Sequence, residues 1–114
     1  MLSFGGVETY EKEVVEIVDP PTVEEIISEY DWNSEVAKAV MMAESHGNPK
    51  AYNPEWHRGC QGSFGLFQVA CVHEENPEKL FNESYNIQRA YELHQEHGWR
   101  IWGAYSNKSY LTFK

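Results

Sequence analysis

The chain has 114 residues and a net charge of −9, enough for one domain with a modest core of its own. The excess acid is confined to residues 1–35, which carry ten acids against one base, while residues 36–114 carry eight of each. Phosphate contacts need Lys and Arg, so nucleic acid is excluded as a partner, and no window approaches the ~20 apolar residues of a membrane span.

The N-terminus, Met1-Leu2-Ser3-Phe4-Gly5-Gly6, has neither a basic region nor an apolar one, so no signal peptide is visible. Residues 7–18 mix Val, Ile and Tyr with Glu until Asp19-Pro20-Pro21 stops them. Residues 1–21 therefore read as an acidic arm or strand, and residues 22–114 as the folded domain. Thr22-Val23-Glu24-Glu25 is a capping box that starts a helix over 23–30. Asn33 or Ser34 caps a second helix, which runs to about His46 and is closed by Gly47 and Pro49. Residues 50–64 read as loop with a short paired segment, and Gly65 to Val72 as the start of a further helix. Asn82 caps a helix over 83–97, with Ile87, Ala90, Tyr91 and Leu93 or His94 turned inward and Gly98 at its end. Trp99, Trp102 and Tyr105 recur every three residues, as a last short helix would place them. The pattern predicts a mainly α protein.

Chemistry enters at Glu44. Val36, Ala37, Val40 and Met41 form an apolar helical stripe, and Glu44 falls on the same face three to four residues beyond its end. A carboxyl on the buried side of a helix is costly to ionise, so it stays protonated to higher pH and is able to donate its proton. The alternative is a snorkelling or helix-end glutamate. Further on, Gly59-Cys60-Gln61-Gly62-Ser63-Phe64-Gly65-Leu66-Phe67-Gln68 is a glycine-rich segment able to turn tightly beside a ligand. Ser63 lies within it, and Gln68 offers an amide suited to an acetamido or hydroxyl group. The segment lacks the Lys-Ser/Thr ending of a phosphate loop. Cys60 and Cys71 bracket it and admit three readings, in descending order: a disulfide, reduced thiols, or a zinc site shared with His57 and His73. The chain has 4 Trp, 7 Tyr and 5 Phe, rings that stack on sugars as well as fill cores.

Glu44-Ser45 followed by Gly62-Ser63-Phe64-Gly65-Leu66-Phe67-Gln68 resembles the lysozyme-like lytic transglycosylases, relatives of goose-type lysozymes that cut peptidoglycan. Leu80-Phe81-Asn82-Glu83-Ser84-Tyr85-Asn86-Ile87 and Trp99-Arg100-Ile101-Trp102-Gly103-Ala104-Tyr105 are similar to two further segments of that family, in the same order. Together they span roughly Trp32 to Tyr110, about two-thirds of the chain. Ser106-Asn107-Lys108 departs from the family's usual Asn-Ala-Gly.

The resemblance implies a lysozyme-like fold, helices packed around a central helix that carries the catalytic Glu44, with a glycine-rich cleft loop. It implies a muramidase acting on the MurNAc-GlcNAc β-1,4 bond without a cofactor or metal, on peptidoglycan strands at the cell wall, in a monomer. A phage-encoded lysin or virion component fits the pattern, and so does a fragment of a longer bacterial protein. In the roles it carries over, Tyr105 points its hydroxyl at Glu44 or the substrate, and Ser45 and Gln68 bond the acetamido group or the catalytic carboxyl. The equal alternative for Ser45 is a helix-end hydroxyl bonded to its own backbone. Phe67 stacks on a sugar or fills the core, and Asn86 ties a helix end to the cleft. Asp occurs only at Asp19 and Asp31, and the goose-type Asp positions hold His57 and Ala70. With no second carboxylate placed by motif, the expected route is transglycosylation to 1,6-anhydromuramic ends. Hydrolysis aided by Glu55 or Glu74, a chitinase, or an inactive glycan-binding module are the alternatives. On this reading Glu44 titrates alone, and Gln at position 55 or 74 leaves the alkaline limb of a pH profile in place.

Overall fold

The structure, a computed structural model, describes residues 19–114. The arm or strand expected over residues 1–21 therefore lies outside the described residues, apart from Asp19, Pro20 and Pro21, which are exposed and carry no regular structure. Helix α1 (Val23–Ser28) opens on the predicted capping box: Glu25 N–H donates to Thr22 Oγ1 at 3.1 Å, and Thr22 N–H to Glu25 Oε1 at 2.9 Å. It stops two residues short of the expected end. The Trp32 indole N–H donates to the Ile27 carbonyl at 2.8 Å, satisfying a terminal acceptor that a further turn of helix would otherwise use.

Helix α2 (Ser34–Ser45) starts at Asn33, whose Oδ1 accepts from Val36 N–H at 3.0 Å. It ends as predicted, with His46 and Gly47 both at positive φ. Its buried face holds Val36, Ala37, Val40 and Met41, packed against α1, the C-terminal Ser109–Phe113 turn and helix α4 (Gly103–Ser106). Around it close Ile27, Leu66, Phe67, Leu80 and Ile87, none of them more than marginally accessible. Helix α3 (Glu83–His97) is capped by Asn82 and closed by Gly98, and it buries Asn86, Ile87, Ala90 and Leu93. Among the described residues no helix is long and apolar enough to cross a membrane.

The paired segment between α2 and α3 is larger than the sequence suggested. Strands β1 (Tyr52–His57) and β2 (Cys60–Phe64) form an antiparallel hairpin turned by Arg58 and Gly59, both at positive φ. A one-residue irregularity between Asn53 and Trp56 bends β1, and the Gln61 amide donates to the Pro54 carbonyl there at 2.8 Å. The helix expected from Gly65 to Val72 does not form. Gly65 and Gln68 sit at φ +75° and +50°, the chain turns back, and Val69–Ala70 becomes strand β3 paired with β2 before a 3-10 turn at Cys71–His73. A helix cannot absorb two left-handed residues three apart.

Asn86 explains why the chain turns there. Fully buried, it accepts from Phe67 N–H at 2.9 Å and donates to the carbonyls of Phe64 at 2.8 Å and Leu80 at 2.9 Å. A Cβ on Gly65 would meet the Leu80 carbonyl and come within 2.5 Å of Asn86 Nδ2, so glycine is required at this close approach. The final aromatic triplet is also split. Trp99–Ile101 is a 3-10 turn, Trp102 is extended, and only Gly103–Ser106 is α-helical. The Trp102 indole donates to the Phe67 carbonyl at 2.9 Å, a bond that pulls the residue out of helical geometry and into the core.

Candidate functional site

Glu44 occupies the last turn of α2, where the apolar stripe runs out into a cleft of about 280 Å³. The hairpin forms the polar wall, contributing Asn53, Glu55 and His57 from alternate positions of β1 and Ser63 from β2. Gln68, Ala70 and His73 continue it, and Leu93, Ile101 and Trp102 face it as the apolar side. Glu44 is half-buried and its carboxylate receives one long hydrogen bond, from Ala104 N–H at 3.4 Å. Burial raises its pKa, the Ala104 N–H opposes the rise, and the charge of Glu55 adds to it. A carboxyl in this setting holds its proton to higher pH than an exposed glutamate does.

The other sequence candidates separate. Ser63 and Gln68 line the cleft. The Gln68 amide donates through Nε2 to the carbonyls of Ala51 at 3.2 Å and Gly65 at 3.0 Å, which leaves Oε1 as an acceptor. Ser45 lies outside the lining: its hydroxyl donates to Met41 O at 3.2 Å and accepts from Gly47 N–H at 3.2 Å, the helix-end arrangement. Phe67 has no exposed surface and belongs to the core, so it offers no face to a sugar. Asn86 binds three backbone groups and acts as the architectural tie between α3 and the glycine-rich turns. Tyr105 also lies outside the lining, its ring stacked between Trp99 and Tyr110 at centroid distances of 6.3 and 4.8 Å.

Of the two carboxylates considered as partners for Glu44, Glu74 is held elsewhere, by the Tyr85 hydroxyl at 2.6 Å and Arg89 at 3.5 Å. Glu55 lines the cleft, and its field acts on Glu44. Burial is the first cause of the Glu44 shift, as expected, and Glu55 adds the smallest contribution to it. Glu55 went unplaced because Pro54 and the lack of apolar alternation hid strand β1; the period-two spacing of Asn53, Glu55 and His57 was the available signal. His73, on the same wall, has its pKa lowered by burial and then by nearby His97 and Arg89.

Residues 31–104, well over half of the chain, match the family profile described as the lysozyme-like domain. The chain belongs to the lysozyme-like domain family. Among curated proteins and among solved structures, nothing matches it. The lysozyme-like domain is associated with peptidoglycan-directed glycosidase and transglycosylase activity, and the mainly α architecture around α2 agrees with it.

The Cys60 and Cys71 sulfurs of this lysozyme-like domain are bonded to one another, the first of the three readings, which leaves His57 and His73 without thiolates for a shared zinc site. The ring so closed contains Ser63, Gln68, Val69 and Ala70, a continuous part of the cleft wall. Replacing both cysteines by Ala should lower unfolding stability by about 3 kcal/mol, from the loop-closure entropy restored to the unfolded chain. Urea denaturation of the double variant beside the oxidised parent measures this; equal midpoints would show that the bond contributes nothing to the fold.

Proposed function

We propose that the protein cuts the MurNAc-GlcNAc β-1,4 bond of peptidoglycan as a lytic transglycosylase, with Glu44 as its single acid and base. The observation that carries this reading is the half-buried Glu44 carboxyl at the cleft, with its pKa raised by burial. Protonated Glu44 gives its proton to the glycosidic oxygen as the bond to the anomeric carbon breaks and an oxocarbenium-like centre develops. The N-acetyl carbonyl of the substrate assists at that carbon. Glu44, now ionised, takes the proton from the sugar's own 6-hydroxyl, whose oxygen closes on the anomeric carbon. Glu44 ends protonated, no water is consumed, and the product is a 1,6-anhydromuramic end.

Ser63 and the Oε1 of Gln68 are assigned to the substrate because both side chains line the cleft, which supports that role. A second reading rests on Glu55, a carboxylate in the same cleft that would serve hydrolysis. Mass spectrometry of digests of purified peptidoglycan separates the two: anhydro ends are expected, and reducing ends alone would establish a lysozyme. Intact wall beside cut chitin oligomers would establish a chitinase, and no product from either polymer a binding module.

A further inference from the structure

We propose that His73 is a substrate-binding residue of the cleft, its imidazole taking a hydroxyl or acetamido group of the glycan, and that Arg89 positions it. The inference rests on the proposed reading of the cleft as a glycan site. Neither residue falls in the segments that carry the family resemblance. His73 ends the short turn at Cys71–His73 and lines the cleft, half-buried, together with Ser63 and Gln68. Its ring is tilted against that of His97, with centroids 6.5 Å apart. Among the described residues no group hydrogen-bonds the imidazole, so its nitrogens are left for a ligand.

The main chain at His73 is, by contrast, held on several sides. Tyr85 and Arg89 are four apart on α3 and share a face. Arg89 Nη2 donates to the His73 carbonyl at 2.6 Å, and its Nε lies 3.5 Å from Glu74 Oε1. The Tyr85 hydroxyl donates to the same Glu74 oxygen at 2.6 Å, and the Asn76 N–H to the other at 3.1 Å. The second terminal nitrogen of Arg89 pairs with Glu92. A planar guanidinium holds a carbonyl and a carboxylate at once, which the single ammonium of a lysine does not. The disulfide at Cys71 ties the other end of the turn to β2. Tyr85, Arg89 and Glu74 are not among the residues that line the cleft, so the clamp fixes where the ring stands without occupying the site.

The chemistry of the cleft selects what the ring takes. Leu93, Ile101 and Trp102 form an apolar side opposite the polar wall. A pyranose has the matching asymmetry, with hydroxyl and acetamido groups at its edge and C–H groups on its faces. Among the described residues no Lys or Arg lines the cleft, so nothing there is built to hold an anion. Burial lowers the His73 pKa, His97, Arg89 and then His57 lower it further, and Glu96 opposes them. The neutral imidazole so favoured carries one N–H donor and one acceptor, the complement of a hydroxyl or an amide.

The test is a binding titration of the full chain in the Glu44→Gln background, with the peptidoglycan tetrasaccharide GlcNAc-MurNAc-GlcNAc-MurNAc as probe. Nitrogen-15 NMR of the histidine rings and calorimetry follow it. The His73 resonances, assigned by their loss in His73→Ala, should shift on saturation. Kd should rise roughly threefold to tenfold in His73→Ala, the worth of one uncharged hydrogen bond. Arg89→Lys keeps the charge and loses the forked grip, so it should raise Kd as well. It should add nothing once His73 is Ala, because Arg89 acts through the ring. A His73 ring unmoved at saturation, a Kd unchanged by His73→Ala, or a tetrasaccharide that does not bind overturns the proposal. An Arg89→Lys variant that leaves Kd in place, or raises it equally with and without the ring, overturns the part assigned to Arg89. The titration reads binding whether or not glycan is cut, so its outcome is separate from that of the cleavage reading, which the products of the parent on intact peptidoglycan decide.

Discussion

Glu44→Gln is expected to lower turnover of peptidoglycan by about a thousandfold or more, the loss that follows removal of a general acid. The amide keeps the shape of the side chain and can still accept from Ala104 N–H, but it has no proton to transfer. Stability should change in the opposite direction, and in a pH-dependent way. The folded protein raises the pKa of Glu44, chiefly by burial. Well below the unfolded pKa the carboxyl is protonated in both states and costs the fold nothing. As pH rises through the folded value, ionisation penalises the folded state more than the unfolded one. The Gln variant should therefore melt at or above the parent near about pH 7, with the gap closing toward about pH 4. Thermal unfolding at both pH values, beside product analysis, checks the pair of effects. A variant that cuts at near-parent rate removes Glu44 from the mechanism, and one that melts lower at neutral pH shows that the ionised carboxyl stabilises the fold.

Asn86→Ala should produce the largest loss of stability. It strips the partner from three backbone groups, the buried Phe67 N–H and Leu80 carbonyl and the part-buried Phe64 carbonyl. Each buried polar group left unpaired costs about 1–3 kcal/mol, so a total of about 3 kcal/mol or more is expected. Asn86→Asp should fare little better, since it keeps the acceptor for Phe67 and turns an oxygen toward two carbonyls. Denaturant titration measures both variants. Destabilisation below about 1 kcal/mol would mean that water enters and satisfies the freed groups.

These two residues show how differently the sequence disclosed the site and the scaffold. The helix caps at Thr22, Asn33 and Asn82 were legible because each is a contact between residues three apart. Glu44 was legible because helical spacing alone fixes which face it shares with Val40 and Met41. Gln68 stood out by its place in a glycine-rich motif, but its backbone partners Ala51 and Gly65 did not. Phe67 illustrates the limit. In sequence it is as close to the cleft motif as Gln68, and the left-handed turn at Gln68 sends one side chain to the cleft and the other to the core.

The sequence by itself determined the mainly α architecture, the ends of α2 and α3, the place of Glu44 on the apolar side of α2 and the candidate pairing of Cys60 with Cys71. Tertiary structure alone decided that residues 65–72 turn and pair as a strand, because the ties from Asn86 and the β2 register are made with residues remote in sequence. It alone decided that Glu55 and His57 share the cleft with Glu44. A carboxylate acts on another through space, and the distance between two elements is set by the tertiary packing that puts the hairpin and α2 on one cleft, which no local pattern in the chain encodes.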